Sequence, residues 1–142
     1  MIRYLVVANQ TLGGAALAEV IRQKMVEDDC SFHVIVPATK PGDHLVWTEG
    51  EAHLIARERL DRALAWFKSH GAEATGDVGD ANPMLAIGDA LIAGRFDEII
   101  LSTLPAGVSR WLNQDLPSRA RRRFGLAVTH VVGEPFPVSR SA

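Results

Sequence analysis

The stretch DEIILSTLPAGVSRWLNQDLPSRARRRFGLAVTHVV, Asp97 to Val132, reads as strand, turn, helix and strand. Ile99-Ile100-Leu101 is an apolar run with no polar alternation, and Ala127 to Val132 is a second run, rich in β-branched residues. The 25 residues between Leu101 and Ala127 carry helical signals. That length suits a crossover joining two parallel strands. The turn Ser102-Thr103-Leu104-Pro105-Ala106-Gly107-Val108-Ser109 follows the first of them. Open parallel sheets bind ligands at such a place, where a strand's carboxyl end faces a helix N-terminus.

Working outward, Ile2 to Ala8 is almost wholly apolar, as expected of a strand buried on both faces. After the turn Asn9 to Gly14, helix one is expected over Gly14 to Glu27, with Leu17, Val20, Ile21 and Met25 inward and Thr11 or Gln10 capping its start. Ser31 to Val36 reads as strand two, ended by Pro37. The loop from Ala38 to Glu49 carries Lys40, Asp43, His44 and Trp47 and is a candidate cover for a site. Thr48 and Glu51 form a capping-box pattern opening helix two, Glu49 to His70. Its stripe of Leu54, Ile55, Leu60, Leu64 and Phe67 is expected inside, and Glu51, Arg57, Glu58, Arg59, Asp61, Arg62 and Lys68 outside.

Ala72 to Val78 is a weak third strand, and Asn82-Pro83 supplies a cap and a first helical residue for helix three. Leu85, Ile87, Leu91 and Ile92 are expected to face inward there. Strand four is Glu98 to Leu101. Helix four is split between Gly107 and Arg123, with Asp115 a second cap and Pro117 opening the latter half. Strand five is Ala127 to Val132, and the tail from Glu134 to Ala142 is expected to be loose. The alternation of strand and helix gives an α/β, doubly wound domain with a five-stranded parallel sheet. Residues 1–142 are read as one such domain.

Composition narrows the function classes. Apolar residues make up 47%, enough for a full core, and the formal net charge of -2 argues against a dedicated nucleic-acid binder. The single cysteine, Cys30, rules out an internal disulfide, and its neighbours Asp28 and Asp29 disfavour a thiolate. MIRYLVVA is too short and β-branched for a signal peptide, and no apolar run reaches the roughly twenty residues of a membrane span. A cytoplasmic protein with no membrane partner is expected.

Several chemistries are missing. There is no G-x-x-x-x-G-K-[ST], no G-x-G-x-x-G after strand one and no G-x-S-x-G. The histidines His33, His44, His53, His70 and His130 form no short ligand pair, so no metal is expected. His33 and His130 lie in strands as packed or hydrogen-bonded residues, and Asp77 and Asp80 read as turn formers. Arg119, Arg121, Arg122 and Arg123 suit a solvated helix C-terminus, with Asp115 pairing Arg119. Trp111 is a core residue or an interface anchor. With no nucleophile, base or metal set, the chain is not expected to be an enzyme.

Gly107-Val108-Ser109-Arg110-Trp111-Leu112, followed by Gly125-Leu126-Ala127-Val128-Thr129-His130-Val131-Val132, resembles the universal stress protein family. The resemblance covers Ile2 to Val132. It implies a Rossmann-like, adenine-nucleotide-hydrolase-like fold with strand order 3-2-1-4-5, a role in stress response and a homodimer paired through strand five. Many members bind ATP through G-x2-G-x9-G-[ST] after strand four and an aspartate at the end of strand one. At the matching positions this chain has Leu101, Leu104, Gln114 and Asp115, and Asn9 in place of the aspartate. A leucine at a position of close approach obstructs a triphosphate, and an acid repels one.

Two readings remain. The first is a universal-stress-like dimeric regulatory or interaction protein without typical ATP binding. The second is a binder of ATP, AMP or a small anion through a divergent loop. Its cofactor-binding residues are Ser102, Thr103 and Ser109 on one wall, with Asn9, Thr11 and the backbone at Val36 on the other. Strand five, apolar and at a sheet edge, needs covering, and pairing about a two-fold axis covers it.

Overall fold

Alternate residues of the strand Ile2–Val7 (β1) serve two cores, which is why its sequence shows no polar alternation. Tyr4 and Val6 point to one side, Leu5 and Val7 to the other. The structure is a computed structural model that describes residues 1–39 and 48–134. The elements that follow are α1 (Ala15–Glu27), β2 (Cys30–Pro37), α2 (Glu49–Ser69), β3 (Glu73–Gly79), α3 (Pro83–Ala93) and β4 (Glu98–Thr103). The chain then forms α4 (Arg110–Asn113), α5 (Leu116–Phe124) and β5 (Ala127–Val132). The sheet is five-stranded, all parallel, in the order β3-β2-β1-β4-β5. This is the α/β, Rossmann-like arrangement expected.

The first core lies under α1 and α2. Leu17 and Ile21 of α1 and Ala56, Leu60, Ala63 and Phe67 of α2 pack on Tyr4, Val6, Phe32, Val34, Val36 and Ile100. The second lies under α3, α4 and α5, where Ala86, Ile87, Ala90, Trp111, Leu116 and Ala120 meet Leu5, Val7, Ile35, Ile99 and Leu101. Each fully buried leucine or isoleucine contributes about 1.5–3 kcal/mol. Strand order reverses between β1 and β4, and the cleft this opens at their carboxyl ends is where α/β sheets place ligands.

Local signals account for most boundaries. Thr48 accepts from the Glu51 amide at 3.1 Å while the Glu51 carboxylate accepts from the Thr48 amide at 3.2 Å, completing the capping box. The Asn82 side chain accepts from the Met84 amide at 2.9 Å, with Pro83 in the first turn of α3. Gly76 weakens β3 for a packing reason: a Cβ there would sit 2.5 Å from Leu60 Cδ1.

Other expectations are corrected. Leu54, Leu85 and Ile92 are exposed, and α2 buries Ala52, Ala56, Leu60, Ala63 and Phe67 instead. Strand β2 runs through Pro37, which pairs in register with Gly79. No side chain caps α1, whose N-cap is Gly14. Asp115 stands at the N-cap of α5 in the left-handed region (φ 56°) without a side-chain cap bond. Arg119 donates to the Gln114 carbonyl at 3.4 Å rather than pairing with Asp115. The residues 40–47 of the expected cover loop, and the tail 135–142, lie outside the described residues.

Candidate functional site

Asn9, Thr11, Ser102 and Thr103 sit at the carboxyl ends of β1 and β4 because each follows or ends a strand that the cores hold rigidly. All four are buried, as is Ser109 at the start of α4. They line a cavity of about 70 Å³, together with Gln10, Thr39, Leu104, Val108, Arg110 and Trp111. The structure therefore brings together Asn9, Thr11, Ser102, Thr103 and Ser109 from the sequence reading. Val36 is fully buried in the first core and does not line the cavity, whereas the next carbonyl, that of Pro37, faces Asn9.

The hydroxyls are engaged within the protein. Thr11 Oγ1 and Ser102 Oγ share a hydrogen bond at 2.5 Å across the cleft. Thr103 Oγ1 lies 2.8 Å from His130 Nε2 and donates to the Leu104 carbonyl at 2.9 Å. With that donation made, Thr103 is left to accept from the imidazole. Ser109 Oγ accepts from the Leu112 amide at 3.1 Å, capping α4. Burial, and secondarily the charge of Arg121, push the pKa of His130 down, so the neutral ring is favoured there.

The β1–β2 side is built differently. Asn9 Nδ2 donates to the Pro37 carbonyl at 2.7 Å, and its Oδ1 accepts from Arg59 Nη1. Arg59 projects from α2 and is half-buried, and its Nε–H is buried without an acceptor among the described residues. It makes no ion pair with a carboxylate among those residues. Burial pushes its pKa down, and Glu58 opposes this. Arg59 was expected on the wet face of α2. It lies i+3 from Ala56 and i−4 from Ala63, both buried, and that spacing was the available signal that it borders the core.

No protein-family model matches the chain, and no curated protein matches its sequence.

The remaining candidates fall elsewhere. His33 Nδ1 is 2.6 Å from Thr75 Oγ1, and its Nε2 is 3.5 Å from Asp77. Asp80 accepts from the Asn82 amide at 2.8 Å, as a turn former does. Burial, reinforced by Asp28 and Asp29, pushes the Cys30 thiol up, away from a reactive thiolate. Among the described residues no three His, Cys, Asp or Glu side chains converge as a metal site, and no helix is long and apolar enough to cross a membrane.

Proposed function

We propose that this chain is a universal-stress-protein-like homodimeric regulatory or interaction module that does not hold ATP in that family's usual way. One observation carries the reading: the hydroxyls a nucleotide needs are already bonded to the protein. Thr11 and Ser102 bond each other, Thr103 donates to the Leu104 carbonyl and accepts from His130, and Ser109 accepts from the Leu112 amide at the start of α4. A ligand that took the Thr103 proton or parted Thr11 from Ser102 would break bonds worth about 0.5–1.5 kcal/mol each before gaining any. Leu104 lines the cavity where the resemblance calls for a glycine, and about 70 Å³ is far below the ~300 Å³ of a small-molecule pocket.

The dimer part of the reading is supported by β5. Its pairing partner is β4 on one side, and its other side is an edge of the sheet. Val132 is exposed at that edge, and an apolar parallel edge left bare invites pairing. Light scattering at tens of micromolar tests this part: a dimer is expected, and a monomer removes it. Thermal shift with ATP, ADP and AMP, with and without magnesium, tests the other part. No shift is expected, and a dose-dependent rise of a degree or more overturns it.

A further inference from the structure

The mouth of the same cavity has a chemistry its wall lacks. Among the described residues Arg110 is the only charged one lining it, and no acidic residue does. The Arg110 side chain is exposed and forms no ion pair among the described residues. On the facing side Asn9 uses one amide N–H on Pro37 and lends its oxygen to the Arg59 guanidinium. The second N–H of that amide remains for the cavity, polarised by the cation behind it. We propose that this mouth binds a small oxyanion, inorganic phosphate or the carboxylate of a small acid, between Arg110 and the Arg59-backed amide of Asn9.

Two arguments carry the proposal. The first is charge. Withdrawing a guanidinium from water costs several kcal/mol unless an anion compensates it. Arg59 is half-buried, has a buried N–H with no acceptor, and meets no carboxylate among the described residues. An anion at Asn9 lies one hydrogen bond from the Arg59 guanidinium and offsets its charge without touching its Nε–H, and Arg110 supplies a direct charge-assisted contact. The second is size. About 70 Å³ is several times the ~10–15 Å³ that one ordered water needs, so a small oxyanion fits. Gln10, also in the lining, adds a neutral amide. The donors lie on the β1 turn and at the start of α4, not on the turn directly after β4. Arg59 is a positioning residue, since it acts through Asn9.

The inference goes beyond the function proposed above by naming a ligand class for its cleft. The test is calorimetric titration of the full chain in chloride buffer at fixed ionic strength, with sodium phosphate and, separately, sodium succinate. Binding of one anion per chain is expected, and whichever titrant binds identifies the source. Arg110→Gln, a surface change that leaves the fold intact, is expected to weaken binding at least about tenfold. Arg122→Gln, at an exposed position of α5 outside the lining, is expected to leave it unchanged. Arg59→Met is expected to lose binding and Arg59→Lys, which keeps the charge, to recover part of it. A purely structural role for Arg59 predicts no such rescue at matched stability.

Absence of heat with both anions overturns the proposal. Binding that Arg110→Gln leaves unchanged identifies an adventitious ion only and overturns it equally. Either failure leaves the proposed dimer and the expected lack of an ATP response untouched. An ATP-induced shift insensitive to Arg110→Gln sinks both readings.

Discussion

The two sides of the cleft are held together by different kinds of polar contact. On the β4–β5 side neutral groups close on one another: Thr103 with His130 and Leu104, Ser102 with Thr11, Ser109 with the α4 backbone. On the β1–β2 side a cation reaches in from α2, and Asn9 relays it to the Pro37 carbonyl. A neutral cluster that satisfies itself adds stability and asks nothing of a ligand. A cluster built around a cation that meets no carboxylate among the described residues stores a demand for one. The lesson is that the same buried location yields a structural seam or a binding site according to whether its hydrogen bonds and charges balance internally.

The comparison can be broken most directly at Asn9. Asn9→Leu strands both the Arg59 guanidinium and the Pro37 carbonyl, and a loss of about 3 kcal/mol in urea unfolding is expected. A loss below about 1 kcal/mol would show that Arg59 finds compensation elsewhere. Next comes the neutral seam. Ser102→Ala leaves the Thr11 hydroxyl buried and unpaired, at a cost of about 1–2 kcal/mol. The double variant Ser102→Ala, Thr11→Val should cost less than the sum of the two single changes, because no orphaned hydroxyl remains. Strict additivity would mean that the pair is not a coupled contact.

Acid sharpens the difference in a third way. His130 has its folded pKa lowered by burial and Arg121, below an unfolded value near 6.5. Its stability contribution is therefore complete above that unfolded value and is lost as pH falls from there through the folded pKa. The urea midpoint is expected to drop between pH about 7.5 and about 5. His33, whose pKa burial also lowers, adds a slope of the same sign, so His130→Gln should reduce the dependence without removing it. A slope unchanged in that variant would take the seam out of the titration. The smallest effect is reserved for the neighbouring arginine on α2. Arg57 forms an exposed pair with Asp61 at 3.3 Å, and Arg57→Ala should cost about 0.5 kcal/mol or less. A cost above about 1 kcal/mol would show that this exposed pair is more than a surface contact.

The fold was largely legible in the sequence because its signals are local. The unbroken apolar run of β1, the Thr48–Glu51 box and the Asn82-Pro83 start each act within a few residues. Helix faces were read less well. Leu54, Leu85 and Ile92 are exposed although apolar, because α2 and α3 bury short stripes rich in alanine against the sheet. The site was legible as a location, and Asn9, Thr11, Ser102, Thr103 and Ser109 do meet there. What they do in that cavity was not legible. Thr11 and Ser102 are 91 positions apart, and no spacing rule announces that they bond each other instead of a ligand. Arg59 was hidden by its type, since a charged residue beside an alanine stripe reads as solvated. Asp115 has the residue type of a side-chain cap, but its backbone is left-handed rather than extended and no cap hydrogen bond forms.

The order β3-β2-β1-β4-β5 also has a consequence during synthesis. β1 pairs with β2 about thirty positions later, in the register Ile2 with Cys30, but waits for β4, where its partner for Tyr4 is Glu98. At ~5–20 residues per second, roughly 5–20 s pass on the ribosome while the centre of the future sheet is a bare apolar edge. Over that interval Leu5 and Val7, which later disappear into the second core, have neither α3 nor β4 to cover them. A strand that ends in the middle of the sheet, with its last four residues buried, thus spends that interval with one edge unpaired.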